Sequence, residues 1–203
     1  VTLSADGLSL YFGSNRPGGY GDRAIWLATR ETVDSPWSEP RNPGPVVNTS
    51  AYDSAPSIST DGRVLFFSST RPGGFGERDL CMTRRATTED PWTDPVNLGP
   101  IVNSSSRETA PCISADGSTL YFQSPRPAKG GVWQTKLNPV VDFNGDGIVD
   151  IADVAIMIEH WHTDYSLCDI GPYTWGDGFV DAQDLIVLAE YMADNPGDAN
   201  AVQ

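Results

Sequence analysis

Several common classes of protein are excluded by what this chain lacks. No run of apolar residues approaches the roughly 18 that a membrane-spanning helix needs, so no bilayer span is expected. There are 2 histidines, His160 and His162, and neither belongs to a His-Glu-x-x-His pattern; Gly-x-Ser-x-Gly is also absent. The 3 cysteines, Cys81, Cys112 and Cys168, are odd in number and have no short metal-type spacing, which indicates neither a disulfide framework nor a thiolate site. Cys81 and Cys112 are expected to pack as small core or strand residues.

The most informative absence is of positive charge. All 13 lysines and arginines lie at or before Lys136, where 14 acids nearly balance them, whereas residues 140–203 hold 13 acids and no base. Carboxylates concentrated without cationic partners must be solvated, remain in disordered chain or bind cations. The net charge of −14 also argues against a nucleic-acid partner, whose phosphates would be repelled. The chain opens at Val1 with no initiator Met and no basic or apolar leader, which reads as a fragment whose signal peptide lies upstream.

What is present is a repeat. Ser4-Ala-Asp6-Gly7, Ser59-Thr-Asp61-Gly62 and Ser114-Ala-Asp116-Gly117 are each separated by 55 residues. An apolar triplet follows each time, Leu10-Tyr11-Phe12, Leu65-Phe66-Phe67 and Leu120-Tyr121-Phe122, and then Arg16-Pro17, Arg71-Pro72 and Arg126-Pro127. The pieces read as four short strands per repeat, at Ala55 to Ser59, Val64 to Ser69, Asp79 to Arg84 and near Val96 to Leu98. The central strand is apolar on both faces, as a sheet held between two other sheets requires. Ser-x-Asp-Gly, Leu-Tyr-Phe and Arg-Pro-Gly-Gly resemble the WD-like repeats of TolB-type β-propellers, and the resemblance covers residues 1 to about 137. It implies a mainly β fold, a partial propeller of about three four-stranded blades, in a secreted or periplasmic bacterial protein. Closed propellers hold at least about four blades, so further blades are expected before Val1.

An enzymatic reading would place a sialidase-like or other glycoside hydrolase site in the propeller, with Arg16, Arg71 and Arg126 holding a substrate carboxylate. Their identical repeat positions favour a structural task performed once per blade. No catalytic residue is assigned. A glycan or a peptide remains a candidate ligand of the propeller, and a hydrolase in the propeller or in an upstream domain remains the alternative function.

The acidic end contains a different pattern. A hard dication needs several oxygen ligands on a sharply turning loop. Asp142, Asn144 and Asp146 supply them at loop positions 1, 3 and 5, with Gly147 at 6, the Ile148 carbonyl at 7, Asp150 at 9 and Asp153 at 12. A second copy follows, in which Asp177, Phe179, Asp181 and Asp184 match positions 5, 7, 9 and 12. Position 1 of that loop falls on Tyr173 and position 3 on Trp175; Asp169 lies four residues too early, so the loop must bulge for Asp169 to reach an ion. A calcium ion (Ca2+) is thus expected in the first loop, and a second one where the bulge brings Asp169 into the second loop. Each loop leads into a helical pattern, with Ile151, Val154, Ala155, Ile158 and Trp161 in the first and Leu185, Leu188, Ala189 and Met192 in the second read as buried stripes.

This duplicated loop-helix arrangement, with Asp at position 12, resembles type I dockerin modules over Val141 to about Ala193. The resemblance implies two EF-hand-like calcium loops on a small α-helical module that docks on a cohesin-like domain. It also implies that loop positions 10 and 11 meet the partner, here Ile151-Ala152 and Ala182-Gln183. These pairs differ from each other and from the Ser-Thr type, which leaves a cell-surface domain as another possible partner. The expected organisation is a propeller at 1–139, a calcium module at 140–193 and a disordered tail at 194–203, in a non-catalytic secreted binding or scaffold protein serving polysaccharide breakdown.

Overall fold

The computed structural model describes residues 1–126, 130–137, 141, 143–144, 148–163, 168–171 and 179–194. The chain divides into two compact units, Val1–Lys136 and Leu137–Gln203. Among the described residues no helix is long and apolar enough to cross a membrane.

The first unit holds three antiparallel sheets, one per repeat, each built from strands in sequence order. The first contains β1 (Thr2–Leu3), β2 (Ser9–Ser14) and β3 (Ala24–Thr29). The second contains β4 (Asp53–Ile58), β5 (Val64–Ser69), β6 (Asp79–Arg84) and β7 (Val96–Asn97). A short helix, α1 (Gly99–Val102), leads to the third, with β8 (Thr109–Ile113), β9 (Thr119–Ser124) and β10 (Gly131–Lys136). In the first sheet a single bridge between Leu27 and Arg41 stands where β7 stands in the second.

Each Ser-x-Asp-Gly motif is a hairpin turn whose side chains do the work of the backbone. Ser4 donates to Asp6 (2.5 Å), Asp6 accepts from the Leu8 amide (2.9 Å), and Ser4 accepts from the Ser9 amide (2.8 Å). The glycine that closes the turn has φ of +74°, +74° and +73° in the three repeats, a left-handed conformation that a side chain would strain.

β4 packs against β2 on one side and β8 on the other, so the middle sheet is covered on both faces. Leu65, Phe66 and Phe67 are consequently all fully buried. The core joins Tyr11, Ile25, Leu27, Val47, Ile58, Leu65, Phe67 and Cys81. Cys112 lies in β8 as a strand residue, but it is exposed. At equivalent places in β4 and β8 the strand bulges and an alanine takes a left-handed φ of 51°, at Ala55 and at Ala110.

The second unit is built on α2 (Ile151–Glu159) and α3 (Ala182–Asp194). Its core pairs equivalent residues of the two copies: Val141 with Cys168, Phe143 with Ile170, Val149 with Val180 and Met157 with Leu188. The helical phase corrects part of the sequence expectation: Leu188 is in the core and Val154, Trp161, Leu185 and Met192 pack against it as expected, but four other residues do not. Met157 and Leu188 are fully buried, while Ile151, Ala155, Ile158 and Ala189 are exposed. The cause lies at each helix start: Asp153 and Asp184 turn inward to the loops, and the residue one turn later faces inward with them. Asp194, expected to begin the tail, ends α3 instead; residues 195–203 lie outside the described residues.

Candidate metal centre and docking face

The Asp153 carboxylate is completely buried and accepts three backbone amides. One oxygen takes Phe143 N (2.7 Å) and Asn144 N (3.3 Å), and the other takes Asp150 N (2.9 Å). Asp184, equally buried, repeats the pattern with Ile170 N (2.5 Å), Gly171 N (2.6 Å) and Asp181 N (2.7 Å). Asp150 and Asp181 in turn accept the amides of Ala152 and Gln183, each at 2.7 Å, which caps the first turn of α2 and of α3. Anionic caps here also meet the positive end of the helix dipole.

This matching sets the alignment of the two loops. Asp153 reaches back 10 residues to Phe143, Asp184 reaches back 14 to Ile170, and so the second loop has four more residues inside the same frame. Asp169, which precedes Ile170 as Asp142 precedes Phe143 in the sequence, is buried. Gly171 shows how tight the closure is: a Cβ there would lie 2.6 Å from the carbonyl carbon of Gln183. Sequence reasoning passed over Gly171, although its place directly after Asp169-Ile170 was a usable signal.

Of the other expected ligands, Asn144 is exposed, Ile148, Asp150 and Asp181 are half-buried, and Phe179 is exposed. Asp142, Asp146 and Asp177 lie outside the described residues, as do Tyr173 and Trp175. Among the described residues no group of three or more His, Cys, Asp or Glu side chains converges as a metal site does. Both ion pairs among the described residues are in the first unit, so no cationic side chain offsets Asp153 or Asp184. Burial, followed by the charges of Asp184 and Asp153, pushes the Cys168 thiol up to about 11.

The residues expected to meet a partner, Ile151, Ala152, Ala182 and Gln183, are all exposed. They continue along each helix into an exposed apolar stripe, of which Ile151, Ala155, Ile158 and Ala189 were expected in the core. On α2 it runs through Ile151 (72% exposed), Ala155 and Ile158 (59%), and on α3 through Ala182, Ile186 (57%) and Ala189. The two stripes occupy equivalent positions.

In the first unit the repeated arginines are engaged by the fold. Arg71 pairs with the fully buried Asp53 (3.0 Å), donates to Val47 O (3.0 Å) and Ser69 Oγ (3.0 Å), and stacks on Phe67. Arg126 pairs with the buried Glu108 (3.6 Å), donates to Val102 O and Ser124 Oγ, and stacks on Phe122 and Trp133. Arg30 and Arg85 are likewise tied to turn carbonyls while lying over Trp37 and Trp92. A cleft of about 530 Å³ lined by Tyr11, Arg41, Asp61 and Arg85 lies between the first two repeats.

No family model matches the chain, and no curated protein is detectably similar. Solved structures that match include TolB from Acinetobacter baumannii at 15% identity and a TM-score of 0.43, covering 66% of this chain and 28% of that one. Putative TolB from Agrobacterium tumefaciens matches at 19% identity and a TM-score of 0.46, covering 66% and 41%. A third match, from a structural and mechanistic study of two prolyl endopeptidases, has 17% identity and a TM-score of 0.37, covering 66% and 19%. The chain spans less than half the length of each of these structures.

Proposed function

We propose that the second unit is a dockerin-like module that binds calcium and attaches the protein to a partner domain. The observation that supports this most is the pair of fully buried carboxylates, Asp153 and Asp184, in a segment with no basic residue. Backbone amides meet part of the cost of burying each charge, and a dication would meet more of it. The donor set suits calcium: carboxylate and carbonyl oxygens on two turning loops, with no imidazole or thiolate among them. In the first loop Asp142, Asn144, Asp146, the Ile148 carbonyl, Asp150 and Asp153 would hold the ion. In the second, Asp169, Asp177, the Phe179 carbonyl, Asp181 and Asp184 would do so. The hydrogen bonds from Ile170 and Gly171 to Asp184 favour the bulged alignment that gives Asp169 the first position.

The exposed stripes headed by Ile151-Ala152 and Ala182-Gln183 are the proposed docking face, and a cohesin-like or cell-surface domain with a complementary apolar surface is the proposed partner. The three sheets are proposed as blades of a larger propeller in a secreted binding or scaffold protein, with a role in polysaccharide breakdown. Arg71 and Arg126 are occupied by Asp53 and Glu108, which favours a structural role for them over substrate binding.

The test is calorimetric titration of calcium into the chain after chelator treatment, with helix content followed by circular dichroism. Two binding events with a gain in helix are expected, and one event for the variant with Asp146→Ala and Asp153→Ala. Absence of binding to the unaltered chain would overturn the reading.

A further inference from the structure

One row of side chains crosses all three sheets at the end where β3, β4, β6 and β8 begin, and backbone bridges and ring contacts fix its order. Arg23 pairs with Tyr52 in a parallel bridge, and Arg78 pairs with Arg107 in the equivalent bridge one repeat later. Between these pairs the Tyr52 ring receives both guanidiniums, with Arg78 Cζ at 4.1 Å and Arg23 Cζ at 5.9 Å from its centre. The loops that carry the two arginines are held against the next repeat: Gly21 and Gly76 press so closely on the carbonyl oxygens of Ala51 and Ser106 that neither could carry a side chain. The residue before each glycine is an exposed aromatic, Tyr20 (50%) in the first loop and Phe75 (48%) in the second.

The cations of this row lack acceptors. Arg30, Arg71, Arg85 and Arg126 each donate to carbonyls or a carboxylate of the fold. Among the described residues the side chains of Arg78 and Arg107 donate no hydrogen bond and form no ion pair, and that of Arg23 donates only to Gly13 O (3.0 Å). The Nε atoms of Arg23 and Arg78 are covered and unbonded. Asp53 and Glu108 belong to Arg71 and Arg126, while Asp22 and Glu77, exposed in the same loops, pair with none of the three. A half-buried cation without a counter-charge gains from an anion supplied from outside.

We propose that this row binds an acidic polysaccharide, a chain of uronic-acid sugars laid across the three sheets with its carboxylates on Arg23, Arg78 and Arg107 and its sugar faces against Tyr20, Tyr52 and Phe75. This deepens the reading of the first unit as a binding element in polysaccharide breakdown and rests on it; neither calcium nor the second unit takes part. Two features favour a glycan over an acidic peptide. The backbone here is already paired, since Arg23 O accepts Asp53 N (3.0 Å) and Arg78 O accepts Glu108 N (2.7 Å), so these strand starts offer no free edge for an added strand. The rings are interleaved with cations, which suits a polymer that repeats a ring and a carboxylate in every unit. Its single charge per sugar also meets less repulsion from a chain of net charge −14 than the dense phosphates of nucleic acid would.

The probe is a galacturonate oligosaccharide, titrated calorimetrically into the whole chain in calcium-free buffer, so that a failure here is separate from a failure of the calcium reading. Binding is expected, and it should weaken as salt rises. The methyl-esterified oligosaccharide, which keeps the rings and loses the charge, should not bind. Arg78→Ala and Arg107→Ala should each weaken binding about ten-fold, because a charge-assisted bond is lost. Arg107 is exposed and without a partner, so its replacement leaves the fold intact. Arg41→Ala, which removes another exposed arginine beside the Ser-x-Asp-Gly turns, should leave binding unchanged. Absence of binding, or binding indifferent to Arg107→Ala, would overturn the proposal. Polyglutamate bound as tightly as the oligosaccharide, with the same dependence on Arg107, would overturn it in favour of an acidic peptide.

Discussion

Asp79 accepts a hydrogen bond from the side-chain amide of Asn97 at 2.7 Å, and the same carboxylate holds the amides of Phe75 (2.6 Å) and Gly76 (3.1 Å) in the wide turn before β6. In the first repeat the two partners are Ala24 and Asn42, and the Nδ2 of Asn42 is buried without a hydrogen bond. Ala24→Asp should restore the missing acceptor, with the turn amides of Tyr20 and Gly21 as further donors. A net gain of about 1 kcal/mol is expected, since an unmade buried bond costs more than a made one returns. Urea denaturation would register it as a higher midpoint; a lower one would mean that the turns of the two repeats differ.

Arg71→Ala should lower stability by about 3 kcal/mol, because it leaves the carboxylate of Asp53 buried with its charge uncompensated. The double variant Arg71→Ala with Asp53→Ala should lose less than the sum of the two single changes, which a double-mutant cycle in urea would measure. Additive losses would show that the pair is not coupled.

The 55-residue repeat made the three sheets legible, because each strand pairs with its sequence neighbours and the turns between them have their own side-chain chemistry. The opening strand of the second repeat was expected at Ala55 and is observed from Asp53, before a bulge whose left-handed alanine no composition rule reveals. The ion pair of that repeat was not legible either. Asp53 and Arg71 stand 18 residues apart, and the acid changes from Asp53 to Glu108 between repeats, so self-comparison hides it. In the second unit the repeated acids that start each helix, Asp150 with Asp153 and Asp181 with Asp184, were visible in the spacing. On α3 the expected Leu185, Leu188 and Met192 do face the core, but the phase of α2 was only partly legible, because that helix has apolar residues around most of its circumference and only the inward turn of Asp153 decides between faces.

The Ser114-Ala-Asp116-Gly117 turn should resist acid. The hydrogen bond from Ser114, followed by those from the amide and hydroxyl of Ser118, lowers the Asp116 carboxyl from 3.8 to about 2. A group depressed in the folded state contributes stability that is complete above the unfolded value and is lost as pH falls through the folded one. The window therefore runs downward from 3.8 to about 2. Carbon-detected NMR titration of Asp116 should give a midpoint near the lower limit, and Ser114→Ala should move it up. An Asp116 midpoint at its ordinary value would mean that the turn hydrogen bonds do not persist in solution.

The correction to the helical phase yields a test that separates core from docking face. Met157→Ala and Leu188→Ala each remove a fully buried side chain from equivalent positions and should cost about 2 to 5 kcal/mol. Ile158→Ala and Ile186→Ala alter exposed positions and should stay within about 0.5 kcal/mol of the unaltered chain. If the exposed stripes serve docking, those same two changes should weaken binding to a partner domain by more than they change thermal unfolding, because the apolar area they remove is buried only in the complex. The opposite result, a large fall in melting temperature for Ile158→Ala and a small one for Met157→Ala, would restore the stripe first expected from the sequence and remove the docking face.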